Sequence, residues 1–323
     1  MKATGIKGLS LLVMALVAGV ACAQKFPERP IRMIVPLPPG SASDFLARTL
    51  SVPLTELYGQ QVVVDNRPGA GGLIGSSILS KATGDGYTYA MVAPPHTVAP
   101  MLQKDPPYHP LRDFTMVTEV ASIPNILAVT PNLPAKNVKE LVALLQKDPA
   151  KYNYASLGTG TLAHIAGEIF NQAAGVRTVH IPFKSVSDVF SETIAGRVHY
   201  LVFTVPSLSP MVRDGRLRPL AVTSAKRNPA FPNIPSIVEE GLPAAQSAGW
   251  FGIIGPAGVP KRIVAQLAAD VKKIVAQPRT RAVFEKQGAE AALDSGPEAF
   301  DKLMKSEYDR YVKLVKDLGI KAQ

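Results

Sequence analysis

Three observations predict an α/β fold of two lobes. Short apolar, β-branched runs alternate with stretches of helical spacing along most of the 323 residues, the pattern of strands joined by helices into largely parallel sheets. The chain is long for a single hydrophobic core. No internal repeat or low-complexity tether divides it, so two lobes must be joined by segments crossing a hinge.

The elements run in order from a leader. Lys2 and Lys7 are followed by an apolar run, Leu9–Val20, and then by small residues at Ala21-Cys22-Ala23. Residues 1–23 therefore read as a secretory signal peptide and the expected location is the periplasm. Lipidation of Cys22 is the weaker alternative, because Gly19 stands where that motif prefers Leu. Cleavage after Ala23 would remove the single cysteine, leaving no thiol, disulfide or cysteine metal ligand. Stability then rests on the core, and a chain of roughly 300 residues buries about three quarters of its unfolded surface.

The expected strands are Ile31–Pro36, Gln61–Asp65, Tyr87–Ala93, Asn125–Thr130, Tyr152–Ser156, Thr178–Phe183, Val198–Thr204, Pro219–Ser224 and Phe251–Gly255. Asn137 and Glu140 read as a capping box ahead of a helix with Val138, Leu141, Val142 and Leu145 on one face. A second helix runs from Pro260 with Ile263, Leu267, Val271 and Ile274 in register. A last one is expected from a capping box at Ser295 and Glu298 to Gly319. Hinge crossings are placed near Ser122–Asn125 and Ala248–Phe251. Domain one is then discontinuous, 24–123 with 249–323, and domain two is 124–248.

The chain carries 35 Lys and Arg against 25 Asp and Glu, a net +10; without the two leader lysines it is +8. Such a field favours anionic ligands or serves only solubility. Nucleic acid is not an expected partner, since no dense basic stretch is interleaved with aromatics. Nor does a catalytic or metal-binding set emerge. G-x-S-x-G and H-E-x-x-H are absent, and His96, His109, His164, His180 and His199 are scattered without ligand spacing. No cofactor is called for.

Ligands in open α/β sheets sit beyond the carboxyl ends of strands, which directs attention to three loops. The first is Pro36-Leu37-Pro38-Pro39-Gly40-Ser41-Ala42-Ser43-Asp44, stiffened by prolines, with Gly40 allowing close approach and Ser43 able to cap the next helix. The second, Asn66–Gly75, is glycine-rich but lacks the Lys-Ser/Thr ending of a P-loop and the dinucleotide spacing; a tight packing turn is the favoured reading. The third, Ser156-Leu157-Gly158-Thr159-Gly160-Thr161-Leu162-Ala163-His164, joins freed backbone, three hydroxyls and a helix start. Exposed N–H groups there suit a carboxylate or phosphate, while capping by Thr159 or Thr161 is the plainer alternative.

Several strings resemble the Bug family, the solute receptors of tripartite tricarboxylate transporters. They include Pro30–Gly40, Val64–Gly72, Asp85-Gly86-Tyr87-Thr88, Tyr108–Phe114, Leu220–Arg227, Gly241-Leu242-Pro243, Trp250-Phe251-Gly252 and Pro256–Pro260, in order along the chain. The resemblance implies a periplasmic-binding-protein fold, a type II-like Venus flytrap with a solute in its cleft. It implies that Leu37–Ser41 holds one end of the ligand through water bridges, and that Ser156–Thr161 with His164 holds a carboxylate directly. His96 falls at a family histidine position. The ligand-binding set expected is therefore Leu37, Pro39, Gly40, Ser41, Ser43, His96, Ser156, Gly158, Thr159, Gly160, Thr161, His164, Lys184 and Thr204.

Departures from the family pattern bear on the solute. Ser185-Val186-Ser187-Asp188-Val189 stands where relatives have Gly-Ser-Ala-Pro-Ala, His199 and Thr204 where they often have Asp, and Ala99 where Asn is common. The implied partners are a small carboxylate and the large and small membrane subunits of a transporter, with the receptor itself a monomer. A secreted hydrolase on the same scaffold and a sensory receptor remain the alternatives.

Overall fold

The computed structural model describes residues 26–317; the leader and the expected helix stop at Gly319 lie outside them. The strands are β1 (Ile31–Val35), β2 (Val62–Asn66), β3 (Thr88–Val92), β4 (Phe114–Val129), β5 (Asn153–Ser156), β6 (Val179–Pro182), β7 (Tyr200–Thr204), β8 (Arg218–Val222), β9 (Ala248–Pro256) and β10 (Glu290–Ala291). The helices are α1 (Ala42–Tyr58), α2 (Leu73–Ser80), α3 (Pro95–Met101), α4 (Val138–Lys147), α5 (Leu162–Ala174), α6 (Val186–Ile194), α7 (Val205–Arg213), α8 (Lys261–Ala276), α9 (Pro278–Lys286) and α10 (Pro297–Asp317).

The expectation of largely parallel sheets needs correction. The strand order is β2-β1-β3-β9-β4-β7-β5-β6, with β10 and β8 also on β4. β1 pairs in parallel with β2 and β3, and β5 with β6 and β7, but β9 runs antiparallel to both β3 and β4. The cause is β4, a 16-residue strand shared by both lobes. Its first part, Phe114–Pro124, pairs with β9, and its last part, Asn125–Val129, pairs antiparallel with β7. A strand that continues from one sheet into the next is a stiff connection between lobes.

Each lobe is a sheet covered on both faces, because alternate strand residues point to opposite sides. In the first lobe, Met33, Val35, Tyr89 and Met91 pack with Leu46 and Leu50 of α1 and Leu267 and Val271 of α8. Ile34, Ala90, Val92 and Ile254 face the other way, onto Phe300 and Met304 of α10. In the second lobe, Leu127, Val129 and Tyr154 meet Leu141 of α4 and Phe170 of α5, while Ile126, Ala128 and Phe203 meet Val189 of α6 and Leu208 of α7. Each fully buried Val, Leu, Ile, Phe or Met side chain among these stabilises the fold by roughly 1.5–3 kcal/mol.

Two local expectations change. α1 is capped by Ser41, whose Oγ accepts from Asp44 N at 3.3 Å, and not by Ser43; Ser43 lies one turn position inside the helix and is buried. The capping box at Ser295 does not form, because Ser295 Oγ accepts instead from the backbone N–H of Glu119 at 2.9 Å. α10 starts two residues later at Pro297, whose missing N–H costs nothing at a first helical position. Half of the box at Asn137 is present: its side chain accepts from Glu140 N at 2.8 Å, while Glu140 Oε2 accepts from the backbone N–H of Lys136 at 2.7 Å and not from that of Asn137.

Candidate functional site

The lobes meet across a cleft divided into two chambers. The inner chamber, about 40 Å³, is lined by Leu37, Ser41, Ala42, Ala93 and Phe251 of the first lobe and Leu157, Thr161, Leu162, Ala163, Phe203, Thr204 and Ser207 of the second. The outer chamber, about 580 Å³, is lined by Leu37, Pro38, the turn Pro68–Gly72, Ala99, Leu102 and Gln103, facing Leu157, Gly158, Thr159 and Pro182–Lys184. Leu37 and Leu157, one from each lobe, are common to both.

Three helix starts converge on the inner chamber. Ser41, Thr161 and Thr204 hold the cap positions of α1, α5 and α7, each in extended backbone before its helix. The unpaired N–H groups of a helix start carry roughly half a positive charge, so dipoles from both lobes aim at one small volume. Local packing sets these directions. α5 lies close on β5 because Gly167 leaves room for the Tyr154 ring; a Cβ there would stand 2.3 Å from a ring carbon. The loop before α1 is tied by Asp44, whose Oδ2 accepts from Gly40 N at 3.0 Å while Oδ1 takes Arg48 Nε at 2.9 Å and Asn66 Nδ2 at 3.0 Å.

Direct contacts hold the lobes together. Ser207 Oγ donates to the Gly40 carbonyl at 3.1 Å and accepts from Thr204 Oγ1 at 3.1 Å. Asn228 Nδ2 donates to the Gly288 carbonyl at 3.0 Å. Ile165 of α5 packs with Val98, Leu102 and Tyr311. The glycine-rich turn, read from sequence as a packing turn, also forms a wall of the cleft, and Gly71 touches the opposite lobe at Thr159.

The expected site residues divide into two groups. Leu37, Ser41, Gly158, Thr159, Thr161, Lys184 and Thr204 line one chamber or the other. Pro39, Gly40, Ser43, His96, Ser156, Gly160 and His164 line neither. Pro39 is exposed on the outer side of its loop. Gly40 presents its carbonyl to Ser207. Ser43 and His96 border a void of about 10 Å³ behind the loop. His96 is committed inside the first lobe: Nε2 meets the Pro110 carbonyl at 3.1 Å, Nδ1 meets Ser76 Oγ at 3.0 Å, and the ring stacks on Tyr108. Burial pushes its imidazole down to about 4, so it is neutral.

The remaining three support the third loop from behind. Ser156 Oγ accepts from Gly158 N at 3.0 Å and lies 2.6 Å from His180 Nε2. Gly160 donates its N–H to His164 Nδ1 at 3.2 Å, which fixes the imidazole proton on Nε2. His164 and His180 lie with ring centres 4.3 Å apart, a pairing the scattered sequence positions gave no sign of. Burial lowers both, His164 to about 3 and His180 to about 4. Thr161 makes no side-chain cap; its hydroxyl donates to the Gly158 carbonyl at 2.7 Å and so tightens the loop. Phe203, Ser207, Phe251 and, in the outer chamber, Pro68–Gly72, Leu102, Gln103, Pro182 and Phe183 were missed. A small or apolar wall residue carries no chemical signal, although Ser207 follows a strand end by three residues and was open to the same reasoning as Thr204.

Two lobes joined by a shared strand, with a cleft between them, define a bilobal binding protein of the periplasmic type. Residues 46–320 match the model of the tripartite tricarboxylate transporter family receptor, and the chain belongs to that family. It is 31% identical to BugT of Bordetella pertussis over 312 residues, 96% of this chain and 95% of that one. The structure of R. palustris Rpa4515 with adipate superposes with a TM-score of 0.87 at 32% identity, covering 91% of this chain and 98% of that one. MatC from Rhodopseudomonas palustris, with bound malate, gives 0.84 at 26% identity, covering 90% and 100%. The family is one of receptors, and the chain is accordingly a receptor, not an enzyme.

Proposed function

We propose that the chain captures a small carboxylate between its lobes in the periplasm and delivers it, as a monomer, to the large and small membrane subunits of a tripartite tricarboxylate-type transporter. The observation that carries the carboxylate is the meeting of three helix starts, with Ser41, Thr161 and Thr204 at their cap positions, around the inner chamber. Among the described residues no carboxylate lines either chamber, and the one charged side chain that does is Lys184. An anion is therefore favoured and an ammonium finds no partner. Adipate and malate in the solved relatives support the same class. The signal-peptide reading of residues 1–23 supports the location, and no helix among the described residues is long and apolar enough to cross a membrane.

The hinge is proposed at Pro124–Asn125 and Ala248–Gly249, where β4 changes pairing partner and β9 begins. The test is a thermal-shift screen of carboxylates followed by calorimetry of matched carboxylate and carboxamide pairs. Ligand at 100 times its dissociation constant should add about 2.7 kcal/mol of stability. Equal or tighter binding of the carboxamides overturns the carboxylate assignment.

A further inference from the structure

We propose that His164 and His180 are positioning residues of the cleft: two imidazoles from different elements, behind the third loop, fix the backbone that faces the solute, and neither touches the solute itself. The inference rests on the carboxylate reading above, which makes that loop one wall of the site.

The loop does not hold its own shape. Gly158 has φ +115° and Gly160 φ +81°, so Thr159 is flanked on both sides by glycine at positive φ, the residue with the most backbone freedom to lose. Thr159 lines the outer chamber, and its carbonyl is the atom that meets Gly71 across the cleft. Each glycine is tethered from behind. Gly160 N–H donates to His164 Nδ1 at 3.2 Å, and His164 belongs to α5. Gly158 N–H donates to Ser156 Oγ at 3.0 Å, and that hydroxyl lies 2.6 Å from Nε2 of His180, on β6. The rings have little freedom of their own. Their centres are 4.3 Å apart. The Tyr154 ring, held by its hydroxyl on Glu168, stacks on His180 at 5.0 Å and on His164 at 6.5 Å. Burial keeps both imidazoles neutral, so His164 Nδ1 keeps the lone pair that Gly160 needs. Neither ring lines a chamber. A receptor that lost a tether would sample other loop shapes while empty, and its apparent affinity would fall with the fraction of correctly shaped loops.

The two tethers use different ring nitrogens, which allows a crossed rescue. An Asn amide branches at Cγ and stands in for Nδ1; a Gln amide branches one atom further on and stands in for Nε2. Wild type, H164N, H164Q, H180Q and H180N are titrated calorimetrically with adipate, malate and benzoate. The Gly158 and Gly160 amides of the ligand-free proteins are followed by hydrogen exchange. H164N and H180Q should bind within about twofold of wild type, and H164Q and H180N about two- to tenfold more weakly, the worth of one neutral hydrogen bond. Exchange at Gly160 should speed up in H164Q, and at Gly158 in H180N. Rescue at position 164 by Gln and not by Asn would mean that Nε2 reaches the solute, and overturns the positioning role of His164. Melting temperatures that fall while affinities stay at wild-type values mark a purely structural role and overturn the inference. If none of the three acids binds wild type, the carboxylate reading fails; faster glycine exchange then still supports the brace, and unchanged exchange overturns it as well.

Discussion

Gly71 is where the closed cleft leaves no room for a methyl group. A Cβ built on it would stand 2.6 Å from the carbonyl oxygen of Thr159, in the opposite lobe, whereas ordinary contact starts near 3.4 Å. Gly71→Ala would thus oblige the lobes to part by roughly 0.8 Å along that line. The obstacle is backbone, which cannot swing aside as a side-chain end would. Overpacking of this kind costs about 1–3 kcal/mol. Here it falls on the closed form alone, so affinity should drop about five- to hundredfold.

A second penalty accompanies the substitution. Gly71 has φ +65°, and left-handed backbone costs an L-residue about 1–2 kcal/mol. That strain is present in open and closed forms alike, so it lowers the melting temperature without changing affinity. Gly59, at the end of α1, separates the two effects: its φ is +63° and nothing lies within 4 Å of its Cβ position. Gly59→Ala should lose stability and keep affinity; Gly71→Ala should lose both. The assay is calorimetry of a carboxylate found by screening, with small-angle scattering to follow compaction. Wild-type affinity in Gly71→Ala, or equal affinity losses in the two variants, would refute the reasoning.

Three further outcomes are expected. Thr161→Val removes the hydroxyl bond to the Gly158 carbonyl that tightens the third loop, so it should lower stability by the roughly 0.5–1.5 kcal/mol of a neutral hydrogen bond and weaken carboxylate binding only through the loop; a calorimetric affinity loss with an unchanged melting temperature would contradict this. Thr204→Asp places an anion inside the inner chamber, so carboxylates should bind at least about tenfold more weakly and an amine-bearing analogue should gain relative to them; a carboxylate titration matching wild type contradicts this. His96 titrates near 4 in the fold because it is buried, the Pro110 carbonyl pulling less strongly the other way, against 6.5 in the unfolded chain. The unfolded chain therefore binds the proton first as pH falls, and up to about 3 kcal/mol of stability is lost between about pH 6.5 and 4. His164 and His180, lowered to about 3 and about 4 by burial, add to the slope in the same direction, so urea titrations should show it made shallower, not abolished, in His96→Gln.

Apolar, β-branched runs located nine of the strands, most of them buried along much of their length. The stretch Phe114–Pro124 escaped because Thr115, Thr118, Glu119 and Ser122 interrupt its apolar run, and its pairing with β9 shifts register between Met116 and Thr118 and again between Glu119 and Ala121. With it went the long strand that joins the lobes and the antiparallel centre of the sheet. In the cleft, the loops after β1 and β5 were legible because hydroxyls and glycines at a strand end have few other uses. Gly71 and Thr159 are 88 positions apart, and nothing in either loop records that they touch. His96 misled for the opposite reason: its position carries a family signal, but its ring is spent on Ser76 and Pro110 inside the first lobe.

The charge arrangement bears on release as well as capture. The first lobe contributes the start of α1 to the inner chamber, and the second contributes those of α5 and α7. Neither lobe brings a full cationic side chain to it. An anion bound there is stabilised by the sum of partial charges, and helix-terminus effects fade within the last turn. When the lobes part, the α1 donors are withdrawn together with the Ser207 bond to the Gly40 carbonyl, and water enters to screen what is left. Affinity therefore depends on closure to a degree that a single buried arginine would not allow, since an arginine would keep its grip in the open form. A receptor that must surrender its cargo to a partner gains from that dependence. A partner that held the lobes apart would lower affinity by removing the α1 donors, one of the three helix starts, without touching the solute.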